Sequence, residues 1–596
     1  MKPATQPSLL PAGLLICLIL VISGITAHPA TATADGTRVL PIGDTLTVIQ
    51  RPLLNIPALV RPGDTLQIEC AADPATIGWA AQLEYGQILL PLEIAGAFYD
   101  PATLWWTLEA CVPPVGEVSL YELYDLEIFA DGGIADSTAN AVRVIPEFKD
   151  SFYFIHITDT HLPTHLFYYE AGAETDTSEV HDLRTVMDDI SIINPEFVLL
   201  TGDLLNEGEL EDFQGFRYYT RAQRLLSEFD VPVYLTSGNH DIGGWSSTPP
   251  PAGTARRDWW RFFGWARLDD PPPGAPWRTQ NYSFDYGSVH FAGLEAYDNY
   301  DMWRSQYYGA ESFTSPQLQW LADDLAAAGS ATAKVLFYHF DFSDQINLTT
   351  LGVDLALWGH IHRDEGSLGA APYDLATNNV CDEDRSYRLI RVVDGDVFPQ
   401  VTIAAGGNGN RLLVEYSPAN DGTHDEVIAQ VYNSHHQRFE HGQLRFLMPS
   451  GSGEITVTGG TLTQVDQTGS VDVCYVAVDI QSYSVGTVTA TKNSTGTPEE
   501  RAVTTTVQLH QNRPNPFTGH TRLSYVLPDP AHVRLTIQGL DGRELARLVD
   551  RRAAAGNYLV EWTGESDDGL PLPAGIYFAC LVVDGELQAR KMILGR

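Results

Sequence analysis

The chain has 596 residues, and its 44% hydrophobic and 19% charged content excludes wholesale disorder. At roughly 150 residues per domain it is long enough for about four domains. Acids outnumber bases 76 to 36, a net charge of −40, so nucleic-acid binding is not expected and docking on anionic membranes is disfavoured.

The first predicted element is a leader, residues 1–34. It carries one charge, Lys2, then an apolar run from Leu14 to Ile25, then Ala32-Thr33-Ala34 before Asp35. A basic start, an apolar middle and an A-x-A-like exit predict a secretory signal peptide, and so a secreted or cell-surface protein. No later segment is long and apolar enough to cross a bilayer. Export permits disulfides. Beyond Cys17 the cysteines are Cys70, Cys111, Cys381, Cys474 and Cys580. Cys70 and Cys111 share one β-rich region and are the expected pair. The pairing of the other three stays open.

Residues 35–148 read as short strands with turn signals, such as Asp64–Cys70 and Tyr124–Ile128 before Asp131-Gly132-Gly133. This predicts an Ig-like β-sandwich. From 149 to 400 apolar runs alternate with helical stretches. The runs are Phe152–Ile157, Phe197–Leu200, Val231–Leu235, Val335–Tyr338 and Val353–Trp358. The helices are Asp182–Ile193, Asp212–Phe229 and Ser315–Ala328. Alternation of this kind predicts an α/β unit with sheets buried on both faces. An aromatic segment, Trp259–Trp265, is expected to pack a local helix rather than to form a lid. Residues 401–491 are β-rich again, 492–506 form a polar linker, and 507–596 make a last β-patterned unit whose acids and bases roughly balance.

Each apolar run of the middle unit ends in metal-binding residue types. The endings are Thr158-Asp159-Thr160-His161, Thr201-Gly202-Asp203, Ser237-Gly238-Asn239-His240-Asp241, Tyr338-His339 and Trp358-Gly359-His360-Ile361-His362. Buried sheets present ligands at the carboxyl ends of their strands. On an extended backbone Asp159 and His161 point the same way, as do His360 and His362. Gly202, Gly238 and Gly359 let the chain turn close to an ion. Imidazole, carboxylate and amide oxygen together suit Fe, Zn or Mn better than Ca. One such ending is weak evidence; five in one βα region point to a metal site.

These five blocks resemble the calcineurin-like metallophosphoesterases, whose signature runs D-x-H, G-D, G-N-H-[DE], H, G-H-x-H. The resemblance implies a four-layer α/β/β/α sandwich and two divalent or trivalent metal ions. Asp159, His161, Asp203 and His362 would hold one ion, and Asp203, Asn239, His339 and His360 the other. With two divalent ions, two aspartates and a bridging hydroxide, the site carries about +1. It would hydrolyse phosphate mono- or diesters by attack of the metal-bridging hydroxide on phosphorus. His240 would stabilise the transition state or protonate the leaving oxygen, and Asp241 would orient neighbouring groups. The position three after Asp203 is Asn206, where purple acid phosphatases place a tyrosine and protein Ser/Thr phosphatases an aspartate. A purple centre and protein dephosphorylation are therefore not expected, and the substrate is a phosphate-ester small molecule, lipid or nucleotide. Substrate-binding residues are not assigned.

The last unit reads Leu509-His510-Gln511-Asn512-Arg513-Pro514-Asn515-Pro516-Phe517, then Leu540-Asp541-Gly542, Trp562 and Ala574-Gly575-Ile576-Tyr577-Phe578. It resembles the C-terminal sorting domains of type IX secretion cargo and the Ig-like domain of flagellar hook-capping proteins, with Thr563 where the pattern has Asp. The resemblance implies outer-membrane secretion machinery as a partner. The rival reading of the whole chain is a cell-surface binding protein with a vestigial phosphoesterase domain.

Overall fold

The computed structural model describes residues 46–162, 178–206, 217–242, 259, 262–264, 281–295, 315–340, 346–406, 412–493 and 507–594, with short gaps inside the first of these (86–87, 102–103, 115–118), at 468–470 and at several turns of the last unit. The predicted leader, most of the 492–506 linker and several loops of the middle unit lie outside the described residues.

The middle unit is built on two sheets. One has the order Val233–Thr236, Val198–Thr201, Phe152–Ile157, Ser386–Val393, Asp396–Pro399. Its first three strands are parallel, and Ser386–Val393 runs antiparallel beside Phe152–Ile157. Ile403–Ala404 pairs with the start of that strand, so the sheet reaches past residue 400. The second sheet has the order Asn281–Tyr286, Val289–Leu294, Ala333–Phe337, Leu355–Trp358, Tyr373–Ala376, parallel apart from its first pair.

The apolar runs are continuous because both faces of each sheet are covered. Alternate residues divide between layers. Phe154, Leu199, Phe337 and Leu357 meet Phe197, Phe291 and Ile390 in a core between the sheets. Their neighbours Ile155 and Leu200 face outward, to Leu183 and Ile190 of the helix Ser178–Ile193 and Leu225 of the helix Arg217–Leu226. Leu336 and Ala356 face Leu321 and Leu325 of the helix Ser315–Ala327. Phe154 is wholly buried, so Phe154→Ala would open a cavity costing about 3–5 kcal/mol. Trp259, Phe262 and Phe263 are buried and pack around Tyr219 of the helix Arg217–Leu226, the packing role expected of the aromatic segment.

Before this unit, strands from Ile49 to Val144 form an eight-stranded arrangement around Leu66, Ile68, Leu108, Tyr124 and Val142. The long strand Ile88–Asp100 pairs with Ala80–Tyr85 along its first half and with Trp105–Cys111 along its second. The expected Cys70–Cys111 disulfide is not made, and both are free thiols. Their strands are antiparallel, with Cys70 opposite Trp106 and Cys111 opposite Thr65. Five residues of strand, about 17 Å, therefore separate them, whereas a bridge needs Cα atoms within about 7 Å.

After the middle unit come two further pairs of antiparallel sheets, from Leu412 to Asn493 and from Gln508 to Leu594. The last pair encloses its own core, including Leu523, Val533, Leu535, Trp562 and Leu581. The Leu412–Asn493 pair does not stand alone. Its Leu412, Val427, Leu444 and Phe446 belong to the same continuous core as Leu183 and Val186 of the helix Ser178–Ile193.

Candidate metal centre

Five strand ends meet at one point. Phe152–Ile157, Val198–Thr201 and Val233–Thr236 lead into the first three blocks; Ala333–Phe337 and Leu355–Trp358 lead into the last two. The strands stop where the ligand types begin, and the backbone turns sharply there. Asp159, His161, Asp203, His360 and His362 have φ of 52°, 43°, 48°, 70° and 49°. None of these is extended, so the alternation argument for Asp159/His161 and His360/His362 does not describe how they converge. Residues held in the left-handed region curl the chain around a shared centre instead, at a cost of about 1–3 kcal/mol each that the surrounding packing sustains.

The glycines have a sharper purpose than flexibility. A Cβ on Gly359 would lie 1.9 Å from Thr158 Oγ1 and 2.4 Å from Asp159 Oδ2, and one on Gly238 would lie 2.2 Å from Asp203 Oδ1. Each glycine makes room for a carboxylate from another block. Gly202, at φ +77°, does the same for Gly238 and His339.

The donor atoms form two groups that share one oxygen. In the first, His161 Nε2 lies 3.1 Å from His362 Nε2, 3.8 Å from Asp159 Oδ1 and 3.6 Å from Asp203 Oδ2; His362 Nε2 lies 3.5 Å from Asp159 Oδ1. In the second, His339 Nε2 lies 3.0 Å from Asp203 Oδ2, 3.1 Å from Asn239 Oδ1 and 3.2 Å from His360 Nδ1, with His360 Nδ1 3.0 Å from Asn239 Oδ1. Donors about 2.1 Å from a common ion stand roughly 3.0–3.4 Å apart, so most of these separations fit ligand shells. Asp159 Oδ1 is buried without a hydrogen-bond partner, although its other oxygen accepts from Thr158 Oγ1 and from the His360 amide. A buried carboxylate oxygen left bare, facing imidazole nitrogens, is what a cation would satisfy. The seven residues fit a pair of metal ions.

Several donors are aimed by a partner behind them. His339 Nδ1 donates to the Thr201 carbonyl at 2.8 Å, which turns Nε2 inward. Asp203 Oδ1 accepts the His240 amide at 2.8 Å, leaving Oδ2 for both groups. His362 Nδ1 lies 3.7 Å from the Asp382 carboxylate. Burial alone would raise the Asp203 carboxyl, but the His339 and His240 imidazoles hold it well below its usual range. Burial pushes His360 down to about 4. Burial would lower His339 too, yet the Asp203 carboxylate raises it to about 9.

His240 is not in either quartet but lines the same open cavity. Its ring meets His161 edge-on at 4.7 Å between centroids, and burial lowers its basicity. Its Nδ1 donates to the backbone carbonyl of Asn206 at 2.5 Å. Asn206 thus orients the histidine through its main chain, a contact that residue identity could not reveal. Asp241 differs from a residue that acts on substrate. Its oxygens accept the amides of Gly238 and Leu205 at 2.8 and 2.9 Å, and its carbonyl accepts Tyr219 Oη. Burial, then the Asp203 charge, raises its carboxyl to about 7. Asp241 positions the second and third blocks relative to each other. Three cavity-lining residues were given no role there by the sequence, Glu179, Cys381 and Asp382. Of the other histidines, His156 is fully buried between the Thr377 and Thr201 hydroxyls, and His290 lies between two aspartates. Both are structural.

Residues 152–364 match the Calcineurin-like phosphoesterase family. The middle unit therefore contains a calcineurin-like phosphoesterase domain, of a metal-dependent class. Among solved structures the chain is similar to a dimetal phosphatase from Danio rerio (14% identity, 43% of this chain and 99% of that one, TM-score 0.30). It is also similar to a purple acid phosphatase from yellow lupin seeds (14%, 63% and 71%, 0.30) and to a Haemophilus influenzae NAD nucleotidase (13%, 43% and 56%, 0.27). The search of curated proteins returned no match.

Proposed function

We propose that the chain is a secreted metal-dependent phosphoesterase acting on mono- or diesters at the centre held by Asp159, His161, Asp203, Asn239, His339, His360 and His362. The observation that carries this reading is the pair of donor groups sharing Asp203 Oδ2, with Asp159 Oδ1 bare between imidazoles. When bound there, two ions would supply Lewis acidity toward the phosphoryl oxygens and an activated water. The protein's own groups do the rest. His240, with its Nδ1 fixed by Asn206, presents Nε2 as a proton carrier for the leaving oxygen. Asp241 keeps the His240 loop in register with Asp203. The layering of cores supports the α/β/β/α arrangement that the resemblance implies.

Charge at the mouth favours one ester class. Among the described residues, the cavity is lined by Glu179 and Asp382 and by no lysine or arginine. An acidic rim opposes a phosphomonoester dianion more than a diester monoanion. The leader and the last unit's resemblance to sorting domains support export, with the secretion machinery as partner.

The test is a panel of chromogenic mono- and diesters with Mn or Zn. Diester turnover should exceed monoester turnover. His240→Ala should lower kcat by about 10²–10⁴ while elemental analysis still finds two ions, and Asp203→Ala should lose ions. Two bound ions with no turnover of any ester would overturn the reading and favour the binding protein.

A further inference from the structure

Cys381 lies beyond the segment that matches the family, in the turn between Tyr373–Ala376 and Ser386–Val393. Main-chain hydrogen bonds fasten this turn to the first block: Val380 N donates to the Thr158 carbonyl and Cys381 N to that of Asp159, at 3.1 and 3.2 Å. The thiol is 2% exposed, yet it lines the cavity with His161 and His362. Its Sγ and one nitrogen of each of these histidines lie within 4.8 Å of one another. Asn379 Nδ2 donates to Sγ at 3.2 Å and to the Cys381 carbonyl at 2.9 Å, which fixes the sulfur's direction. The second observation is the bare, buried Oδ1 of Asp159, which faces the same two imidazoles.

We propose that the Cys381 sulfur is an additional donor to the ion held by Asp159, His161 and His362. This rests on reading the cluster as a two-ion centre. About 2.3 Å for a metal–sulfur bond and about 2.1 Å for a metal–nitrogen bond allow donors on opposite sides of an ion to stand some 4.4 Å apart. The three donor atoms lie within 4.8 Å of one another, a spacing of the same order. The thiol donates to Asp382 Oδ2 at 3.4 Å; coordination replaces its S–H bond by a metal–sulfur bond, the proton leaves by way of that carboxylate to solvent, and the Asn379 amide remains as a hydrogen-bond donor to the resulting thiolate. A soft donor on one ion and none on the other makes the two positions unequal. Zn, Co or Fe is favoured at the first position over Mn.

The experiment uses the full chain, stripped by chelator and titrated with Co(II), and reads the absorption spectrum. The expected result is two bound cobalt ions and a near-ultraviolet thiolate-to-cobalt band. That band is lost in Cys381→Ser while the visible ligand-field bands and the stoichiometry of two remain. Two bound ions without the near-ultraviolet band in the wild type would overturn the sulfur ligand and leave the two-ion centre standing. Persistence of the band in Cys381→Ser would assign it to another cysteine and equally overturn the proposal. Failure of the wild type to bind cobalt would instead remove the two-ion reading and this one with it. Should Cys381→Ser not fold, cadmium NMR of the wild type gives the same decision. One of two resonances shifted downfield by sulfur supports the ligand, and two resonances both in the nitrogen/oxygen range overturn it.

Discussion

Gly359 carries a larger consequence than its size suggests. Its absent side chain is the space occupied by the Thr158 hydroxyl and the Asp159 carboxylate. Gly359→Ala should displace Asp159, weaken the first ion position and cut turnover at least tenfold, with bulk folding retained. Ion content by elemental analysis and far-UV circular dichroism would check this; two ions retained at full activity would contradict the close approach. At Asn206 the prediction is the opposite. Its contact with His240 is made by the carbonyl, so Asn206→Ala should leave kcat within about threefold of the parent. A kcat loss of tenfold or more would show instead that the Asn206 side chain takes part.

Between elements, His290 joins the strand Asn281–Tyr286 to the helix Ser315–Ala327. Its ring nitrogens lie 2.8 Å from Asp285 Oδ1 and 2.9 Å from Asp324 Oδ2. Burial opposes its charge, but the two carboxylates outweigh burial and raise it to about 9. A folded-state value above the unfolded one means that the charged imidazole stabilises the native state. That stability is fully present below about pH 6.5 and is lost as pH rises through about 9. Asp285 is largely exposed, so the contribution is discounted to on the order of 1–2 kcal/mol. Urea midpoints at pH 6 and pH 10 for the parent and His290→Gln should differ by more at pH 6. An equal difference at both pH values would show that the ion pairs contribute nothing.

Across the whole molecule, one junction, half-buried at Arg445 and Asp230 and buried at Glu122, ties three units together. Arg445 lies 3.3 Å from Glu122 Oε1 and 2.9 Å from Asp230 Oδ1, and Tyr475 Oη donates to Glu122 at 2.7 Å. Burial raises the Glu122 carboxyl although Arg445 and Tyr475 favour its charge. Arg445→Met would remove that acid's nearest counter-charge, at a cost, discounted for the half-exposed arginine, on the order of 1–2 kcal/mol. The observable is a lower midpoint for the first thermal transition. An unchanged midpoint would mean that the shared core alone holds the units together. The last unit is different, because its core is its own. Truncation before residue 507 should leave ester turnover within twofold of the full chain.

The sequence by itself determined the class of chemistry and the scaffold that carries it. Unbroken apolar runs such as Phe152–Ile157 and Val198–Thr201 require sheets covered on both faces, and the residue types that end them bind metals. These are local properties, written in consecutive residues. The strands Asn281–Tyr286, Val289–Leu294, Tyr373–Ala376 and Ser386–Val393 were less legible, since polar residues such as Asn281, Asp285, His290, Asp374 and Arg388 interrupt their apolar runs. Tertiary structure alone decided the rest. It separated Cys70 from Cys111 through strand register, gave His240 its partner through a main-chain oxygen, and fused the Leu412–Asn493 sheets to the helix Ser178–Ile193. It also brought the Cys381 thiol within 4.8 Å of the His161 and His362 imidazoles. Each of these depends on which distant segments touch, and that is set by how whole elements pack rather than by the residues that flank the contact.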